Sequence, residues 1–194
     1  MMTDLSLSDA PAAARSLLGC LLYRRTKAGL VGGMIVETEA YLGENDPASH
    51  SASGETERNA TMYGPAGKAY IYLIYGIHHC LNVVTGPQGS GEAVLIRAIE
   101  PLYGLELMQN RRGCGTSPGK LCSGPGKICQ AFAIDLSLDG HNLAEPPLYI
   151  RPGPGALKNY EIVSSSRIGI NKARDLQLRY YLDQNKFVSG RYGK

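Results

Sequence analysis

Three consecutive segments rich in β-branched and aromatic residues constrain the fold of this 194-residue chain more than any other feature. They read YIYLIYG (70–76), IHHCLNVVT (77–85) and EAVLIRAIEP (92–101), and the second and third are separated only by the turn-forming stretch GPQGSG. Such residues favour strands, and connections this short join antiparallel neighbours. The pattern predicts an antiparallel meander whose third strand stops at Pro101.

The flanking segments carry patterns of helices, strands and loops. A helix is predicted over 8–25, because Ser8 or Asp9 can cap it and Pro11 suits its first turn. Residues 29–43 alternate like a strand, whereas residues 44–69 lack apolar periodicity, and a loop of that length is usually functional or mobile. Further predictions are a helix (102–112), a basic Gly/Pro-rich loop (113–127), a short helix or apolar segment (127–134) and strands (148–155, 160–170).

Composition excludes several classes of protein. With 43% hydrophobic and 19% charged residues the chain is typical of a soluble globular domain, and no apolar run approaches the ~18 residues of a membrane span. The apolar stretch near the N-terminus is too short for a secretory signal and lacks a basic leader, so we expect a cytoplasmic protein. The five cysteines form no C-x-x-C pair and the four histidines form no metal-ligand pattern, so reduced thiols, no metal and no cofactor are expected.

Charge and aromatic residues are distributed unevenly along the chain. Residues 107–134 contain four bases and no acid, and residues 167–194 contain seven bases and two acids, although the net charge is only +3. A basic face for a polyanion is one interpretation, and a randomly charged surface is the other. There are twelve Tyr, two Phe and no Trp, and Tyr suits both stacking on bases and ordinary packing.

The stretch VETEAYLG, Val36 to Gly43, places two carboxylates and a tyrosine at alternate positions. In an extended chain Glu37, Glu39 and Tyr41 share one face. A solvent-exposed strand face explains this pattern without chemistry, whereas catalysis needs one carboxylate in a partly enclosed site near an activated water. Alternation alone does not rank Glu37 against Glu39.

Two further segments could contact a nucleic acid. Alternation puts Tyr70 and Tyr72 on one strand face and Tyr75 on the other, immediately before Gly76. An aromatic at a projecting turn could insert between stacked bases, or could simply pack at the edge of the core. The stretch SGPGK, which ends at Lys127, could hold a backbone phosphate or form a plain turn, and it lacks the nucleotide P-loop pattern.

The segments VETEAYLG, ASHS, ERNATMYG, YIYLIYGIHHCLNVV, AVLIRAIEP, LCSGPGKICQA and RIGI occur in the order found in the alkyladenine (3-methyladenine) DNA glycosylases. The chain resembles this family over nearly its whole length. The elements predicted above already indicate a single α+β domain over residues 1–194, with antiparallel strands and a few helices at its edges. The resemblance agrees with this fold and implies a curved sheet with a protruding β-hairpin. It also implies a bacterial repair enzyme that works on the nucleoid.

The resemblance assigns roles to individual residues. It makes Glu39 the general base, Glu37 a structural or electrostatic neighbour, and Arg97 a residue near the catalytic water. It places Tyr75 in the duplex as the intercalating residue. The pocket for the flipped base would comprise Tyr41, His50, Tyr72 and Asn82, with Asn82 crowding the amino group of guanine. Expected contacts to the DNA backbone are Arg58, His79 and Lys127, and histidine at 79 departs from the aromatic residue expected there.

The implied reaction is hydrolysis of the N-glycosidic bond of a damaged purine in double-stranded DNA, by a monomer. Substrates of the 3-methyladenine, 7-methylguanine and hypoxanthine class are expected, and because no lysine occurs in the pocket motifs, no lyase step is expected. Two rivals share some of these features. A non-catalytic nucleic-acid-binding module has no use for Glu39, and a nucleoside hydrolase needs neither Tyr75 at a turn nor a basic face.

Overall fold

The computed structural model describes residues 7–113, 117–153 and 160–190. Their strands are β1 (Leu21–Thr26), β2 (Gly29–Leu42), β3 (Ala69–Ile74), β4 (His78–Thr85), β5 (Glu92–Tyr103), β6 (Leu148–Arg151), β7 (Ile162–Ser165) and β8 (Arg179–Leu182). They form one antiparallel sheet in the order β3-β4-β5-β2-β1-β6, and β8 joins it by pairing with both β2 and β7.

The long strand β2 organises the sheet. Its first half pairs with β1, residues Glu37–Glu39 pair with β8, and β5 runs along its other edge. One strand with different partners along its length forces the sheet to curl, since every strand pair adds twist. The predicted α+β class with a curved antiparallel sheet is confirmed, as is the meander β3-β4-β5.

The β2–β5 pairing contains two bulges at the position of the carboxylates. Ile35 pairs with Ile99, Glu37 with Ala98 and Thr38 with Ile96, so Val36 and Arg97 are the unpaired residues. A bulge re-aims the side chain of its extra residue and sharpens the local twist. The bulge at Arg97 turns this side chain toward Glu37 and Glu39 of β2.

The described residues contain four α-helices: α1 (Ala10–Leu17), α2 (Leu105–Arg112), α3 (Pro118–Leu121) and α4 (Pro125–Phe132). Asp9 caps α1 by accepting a hydrogen bond from the Ala12 N–H, and α1 packs on β2, where the Thr38 hydroxyl donates to the Ala14 carbonyl at 2.9 Å. The α4 helix packs on β4, and α2 packs on α4.

Three predicted boundaries were wrong for identifiable reasons. The first helix ends at Leu17 rather than near residue 25, because Gly19 takes a positive φ of 78° and Leu21–Thr26 pairs with β2 and β6. Strand β5 continues past Pro101 to Tyr103, because a register shift at Gly32/Gly33 accommodates the proline. The next helix therefore begins at Leu105, after Gly104 in the left-handed region.

Other predictions were incomplete. The basic Gly/Pro-rich loop contains the short helix α3, and its residues 114–116 lie outside the described residues, as do 154–155 at the end of the predicted strand over 148–155. Strand β7 covers only four residues of the predicted 160–170, and β8 was not predicted. Residues 44–68 have two short 3-10 helices and are otherwise irregular. No helix in the described segments is long and apolar enough to cross a membrane.

Candidate active site

A cleft of about 280 Å³ opens on the face of the sheet that carries the side chains of Glu37 and Glu39. Strands β2 to β5 form its floor and one wall, and loop residues complete its rim. All four predicted substrate-binding residues line it. The lining includes Tyr41, Ala48, His50, Met62, Tyr70, Tyr72, Tyr75, Cys80, Asn82, Arg97, Pro125, Ile168, Gly169 and Ile170.

Three aromatic rings form the wall beside the loop. The His50 and Tyr72 rings meet edge to face with centroids 4.4 Å apart, and the Tyr70 and Tyr72 rings lie 5.6 Å apart. His50 Nδ1 shares a 2.9 Å hydrogen bond with the Tyr70 hydroxyl. Burial, with Arg58 as the second cause, lowers the pKa of His50, which favours the neutral imidazole at pH 7.

Asn82 is held at the back of the cleft by the neighbouring strand. It lies opposite Tyr70 in the β3–β4 ladder, and its side-chain amide donates to the Tyr70 carbonyl at 3.1 Å. Its side chain is thereby fixed on the cleft face of β4 with little freedom to turn away. Asn82 is only 4% exposed, so it limits the depth to which a ligand can enter.

Glu39 lies directly beneath the residues that line the cleft and is fully buried. Its Oε1 accepts the Ile168 N–H at 2.7 Å and faces Arg97 Nη1 at 3.4 Å, while its Oε2 accepts the Tyr41 hydroxyl at 3.0 Å. Burial raises the pKa of Glu39, and Arg97, the Ile168 N–H and Tyr41 oppose that rise. The environment of Glu39 therefore suits a proton acceptor whose pKa lies above that of an ordinary carboxylate.

Glu37 shares that face, as alternation predicted, but it is fully engaged elsewhere. Its carboxylate accepts from Arg97 Nε at 3.2 Å, from Arg179 Nε at 2.7 Å, and from both the N–H and the hydroxyl of Ser189. Arg97 thus bridges the two glutamates. The acidic face is neither solvent-exposed nor symmetric, because one carboxylate anchors arginines and the other adjoins the cleft.

Tyr75 lies beyond the end of β3, at the tip of the β3–β4 hairpin. Its φ of 52° is left-handed and its side chain is 84% exposed, although it also borders the mouth of the cleft. The sequence predicted that Tyr72 and Tyr75 lie on opposite faces of one strand. Strand β3 ends at Ile74, so alternation does not extend to Tyr75, and both side chains border the cleft. A large exposed ring on a strained turn beside the cleft is a position suited to insertion.

The predicted backbone-contact residues surround this hairpin. Arg58 is exposed and donates to the Leu73 carbonyl at 3.3 Å. His79 lies on β4. Lys127 lies in the first turn of α4, close in sequence to Pro125, which lines the cleft, and it donates to the Ser123 hydroxyl. His79 borders a separate pocket together with Ile77 and Gly126, and contact of Arg58, His79 and Lys127 with DNA stays a prediction.

The sequence did not indicate several residues of the site. Asp46, Arg167, Arg179 and Ser189 all contact or support the glutamates, yet they come from the irregular loop and the C-terminal third of the chain. The only available signal was the RIGI segment, which contains Arg167 but had no assigned role. In the described residues no group of three or more His, Cys, Asp or Glu side chains could hold a metal ion.

A base-sized aromatic cleft above a buried carboxylate, on a curled antiparallel sheet, is the type of site with which enzymes process an extruded nucleobase. Residues 4–186 match the sequence model of the family described as methylpurine-DNA glycosylase. The chain belongs to this family of DNA glycosylases, which repair alkylation damage.

Close relatives support the same assignment. A protein from Methanoculleus marisnigri is 52% identical over 94% of this chain and 95% of its own length, and one from Carboxydothermus hydrogenoformans is 50% identical over 93% and 94%. A protein from Nitrosospira multiformis is 48% identical over 96% and 91%. Each of the three is named "Putative 3-methyladenine DNA glycosylase". The resemblance to the 3-methyladenine DNA glycosylases is confirmed.

Proposed function

We propose that this DNA glycosylase extrudes an alkylated purine nucleotide from the duplex and hydrolyses its N-glycosidic bond, with Glu39 as general base. The observation that carries the proposal is a fully buried Glu39 directly beneath an aromatic cleft of about 280 Å³. A base within the stack is out of reach of such a site, so the nucleotide must leave the helix first. Tyr75 at the hairpin tip would then fill the gap.

The chemistry needs one carboxylate and one water. Oε2 of Glu39 accepts only from Tyr41 within the described residues, so it has a second lone pair with which to accept from a water. A water there would attack C1′ as the C1′–N bond breaks, and Glu39 would accept its proton. The bond electrons pass to the purine, which leaves as a neutral base when alkylation has made it cationic. The carboxylate charge also stabilises the cationic sugar.

Selectivity would arise from the cleft walls. Aromatic faces attract a desolvated cation by about 2 kcal/mol, which favours alkylated over normal purines. Neutral His50 adds no repelling charge at pH 7. Asn82, locked against Tyr70, would crowd the amino group of guanine. Hypoxanthine has no positive charge, so it would be the slower substrate of the set.

The proposed enzyme is a monomeric, monofunctional hydrolase that leaves an abasic site. Among the described residues that line the cleft there is no lysine, and a lyase step requires an amine nucleophile. A non-catalytic binding module is the weaker alternative, because it gives no reason to bury Glu39 between Arg97 and the Ile168 N–H.

Release of free base from damaged DNA tests the proposal. Duplexes carrying a single 7-methylguanine, 3-methyladenine or hypoxanthine are incubated with excess enzyme, and the released base and cleaved abasic strand are quantified. We expect release of the two cationic bases to be faster than that of hypoxanthine. Tight binding of all three duplexes without base release would support the binding module, and release from free nucleosides that duplex DNA fails to inhibit would support the nucleoside hydrolase.

DNA affinity is expected to fall steeply as salt rises. If Arg58 and Lys127 each neutralise a phosphate, the association constant should drop about tenfold between 50 and 200 mM salt, because each contact releases condensed counterions. Replacing either residue by Gln should make the log–log salt slope shallower by about 1. Lys27→Gln is the control. Lys27 lies in the turn between β1 and β2, at the start of β2, whereas Tyr41 at the cleft lies near the other end of that strand. A slope unaffected by Arg58→Gln and Lys127→Gln would remove both residues from the interface.

A further inference from the structure

The RIGI segment, Arg167–Ile170, forms one lip of the cleft. Ile168, Gly169 and Ile170 line the cleft directly, and Ile168 is 40% exposed. Arg167 points the other way, and its side chain has no exposed surface. A base in the cleft therefore contacts this lip without touching the arginine.

Arg167 ties the lip to three other parts of the site. Its two Nη groups bind both carboxylate oxygens of Asp46, and the Nη2–Oδ1 distance is 2.8 Å. Nη1 also donates to the Ala40 carbonyl of β2 at 3.0 Å, and the guanidinium lies 4.7 Å from the centre of the Tyr41 ring. Asp46 in turn accepts the Ala48 N–H, and Ala48 lines the cleft.

Ile168, the residue after Arg167, donates a backbone hydrogen bond to Glu39. The Ile168 N–H donates to Glu39 Oε1 at 2.7 Å, and the position of this N–H depends on where the preceding residue is held. On the other side of the carboxylate, the Tyr41 hydroxyl binds Oε2 at 3.0 Å. The guanidinium of Arg167 therefore acts on both hydrogen-bond donors of Glu39. It holds the Ile168 N–H through the backbone and Tyr41 by stacking on its ring.

Fold stability alone gives a poor account of this arrangement. Nε of Arg167 has no hydrogen-bond partner among the described residues, and an unpaired buried donor is costly. Buried ion pairs can often be exchanged for apolar residues without loss of stability. A planar group that makes two carboxylate contacts, one carbonyl contact and one ring contact is, however, well suited to setting geometry.

We propose that Arg167, paired with Asp46, is a positioning residue for the general base: it holds the Ile168 N–H and Tyr41 against Glu39 and so sets the orientation of that carboxylate. This inference rests on the proposed function. It gives the RIGI segment a role and explains why Asp46, from the irregular loop, is fully buried. Misplacement by about 1 Å can lower a rate about 100-fold, so a remote clamp of this kind has a measurable effect.

The direction of the pH effect follows from the groups around Glu39. The charged or titratable groups that face it are Arg97 on β5, Glu37 and Tyr41 on β2, and Arg167 on the lip. Burial raises the pKa of Glu39, so base release by the native enzyme should begin to fall, as pH is lowered, above the pH at which an ordinary glutamate protonates. Loss of the Ile168 N–H removes a donor that favours the carboxylate, so the acid limb should move to still higher pH.

Arg167→Lys is the test variant. A lysine can pair with Asp46 but lacks the planar fork that reaches the Ala40 carbonyl and covers the Tyr41 ring. Single-turnover release of 7-methylguanine should fall about 10- to 100-fold at neutral pH, with the acid limb shifted upward and affinity for lesion DNA nearly unchanged. Asp46→Asn keeps the shape of the partner without its charge, and it should shift the profile in the same direction.

The control is Arg15→Lys, because Arg15 stacks on Tyr180 at 4.4 Å and donates to the Ser164 hydroxyl, and neither partner lines the cleft. All variants are assayed at temperatures equally far below their own Tm. If Arg167→Lys and Asp46→Asn lower Tm but leave the rate and acid limb as in the native enzyme, Arg167 is only structural and the inference is overturned. A native enzyme that releases no base overturns the proposed function and this inference together.

Discussion

Glu39→Gln is expected to lower single-turnover base release by about 10²- to 10⁴-fold while lesion DNA still binds. The amide has nearly the same shape and can still accept the Ile168 N–H, so the cleft above it should persist. It cannot accept the proton of the attacking water or stabilise the cationic sugar. Quenched-flow or manual single-turnover assays measure the rate, and fluorescence anisotropy measures the binding. Full activity of this variant would remove Glu39 from the mechanism.

Glu37→Gln is the matched control because it removes a second buried carboxylate from the same strand face. Glu37 contacts Arg97, Arg179 and Ser189 and does not itself line the cleft. Weakening charge-assisted hydrogen bonds of this kind costs about 1–3 kcal/mol of stability, so the expected result is a lower Tm. Folded Glu37→Gln should still release base readily, in contrast with Glu39→Gln.

Tyr75→Ser should produce the second large effect, on extrusion of the base rather than on chemistry. Stacking of a base on an aromatic ring contributes about 1–3 kcal/mol, so the equilibrium for extrusion should fall about 5- to 150-fold. The change in fluorescence of a reporter base at the lesion site should shrink accordingly. Because Tyr75 is 84% exposed, its loss should leave Tm almost unchanged.

Tyr75→Phe keeps the ring and removes only the hydroxyl, so it should retain most of the fluorescence change. A Tyr75→Ser variant that extrudes the reporter base as well as the native protein would show that the hairpin tip does not stabilise the extruded state. Base release from an unpaired, single-stranded lesion offers an internal comparison. There Tyr75→Ser should differ less from the native enzyme, because little unstacking is needed.

The sequence by itself was enough for the meander, the α+β class and the sharing of one face by Glu37, Glu39 and Tyr41. These features depend on local periodicity, on short connections and on residues with strong strand preference, all of which are visible within ten residues of each other. The same local information failed at Leu21–Thr26 and Pro101, where pairing with distant strands and a bulge outweighed local preference.

Only the tertiary structure distinguished the two glutamates by their surroundings. Glu37 accepts hydrogen bonds from Arg179 and Ser189, which lie more than 140 residues away in the sequence. Glu39 accepts hydrogen bonds from Tyr41 and from the Ile168 N–H, and both of these residues line the cleft. No periodicity reports contacts over such separations, and the resemblance assigns a role to Glu39 without describing its surroundings. Those surroundings are burial beneath the cleft and donors that adjoin the Arg167–Asp46 pair, and they exist only once β2, the irregular loop and the RIGI segment are packed together.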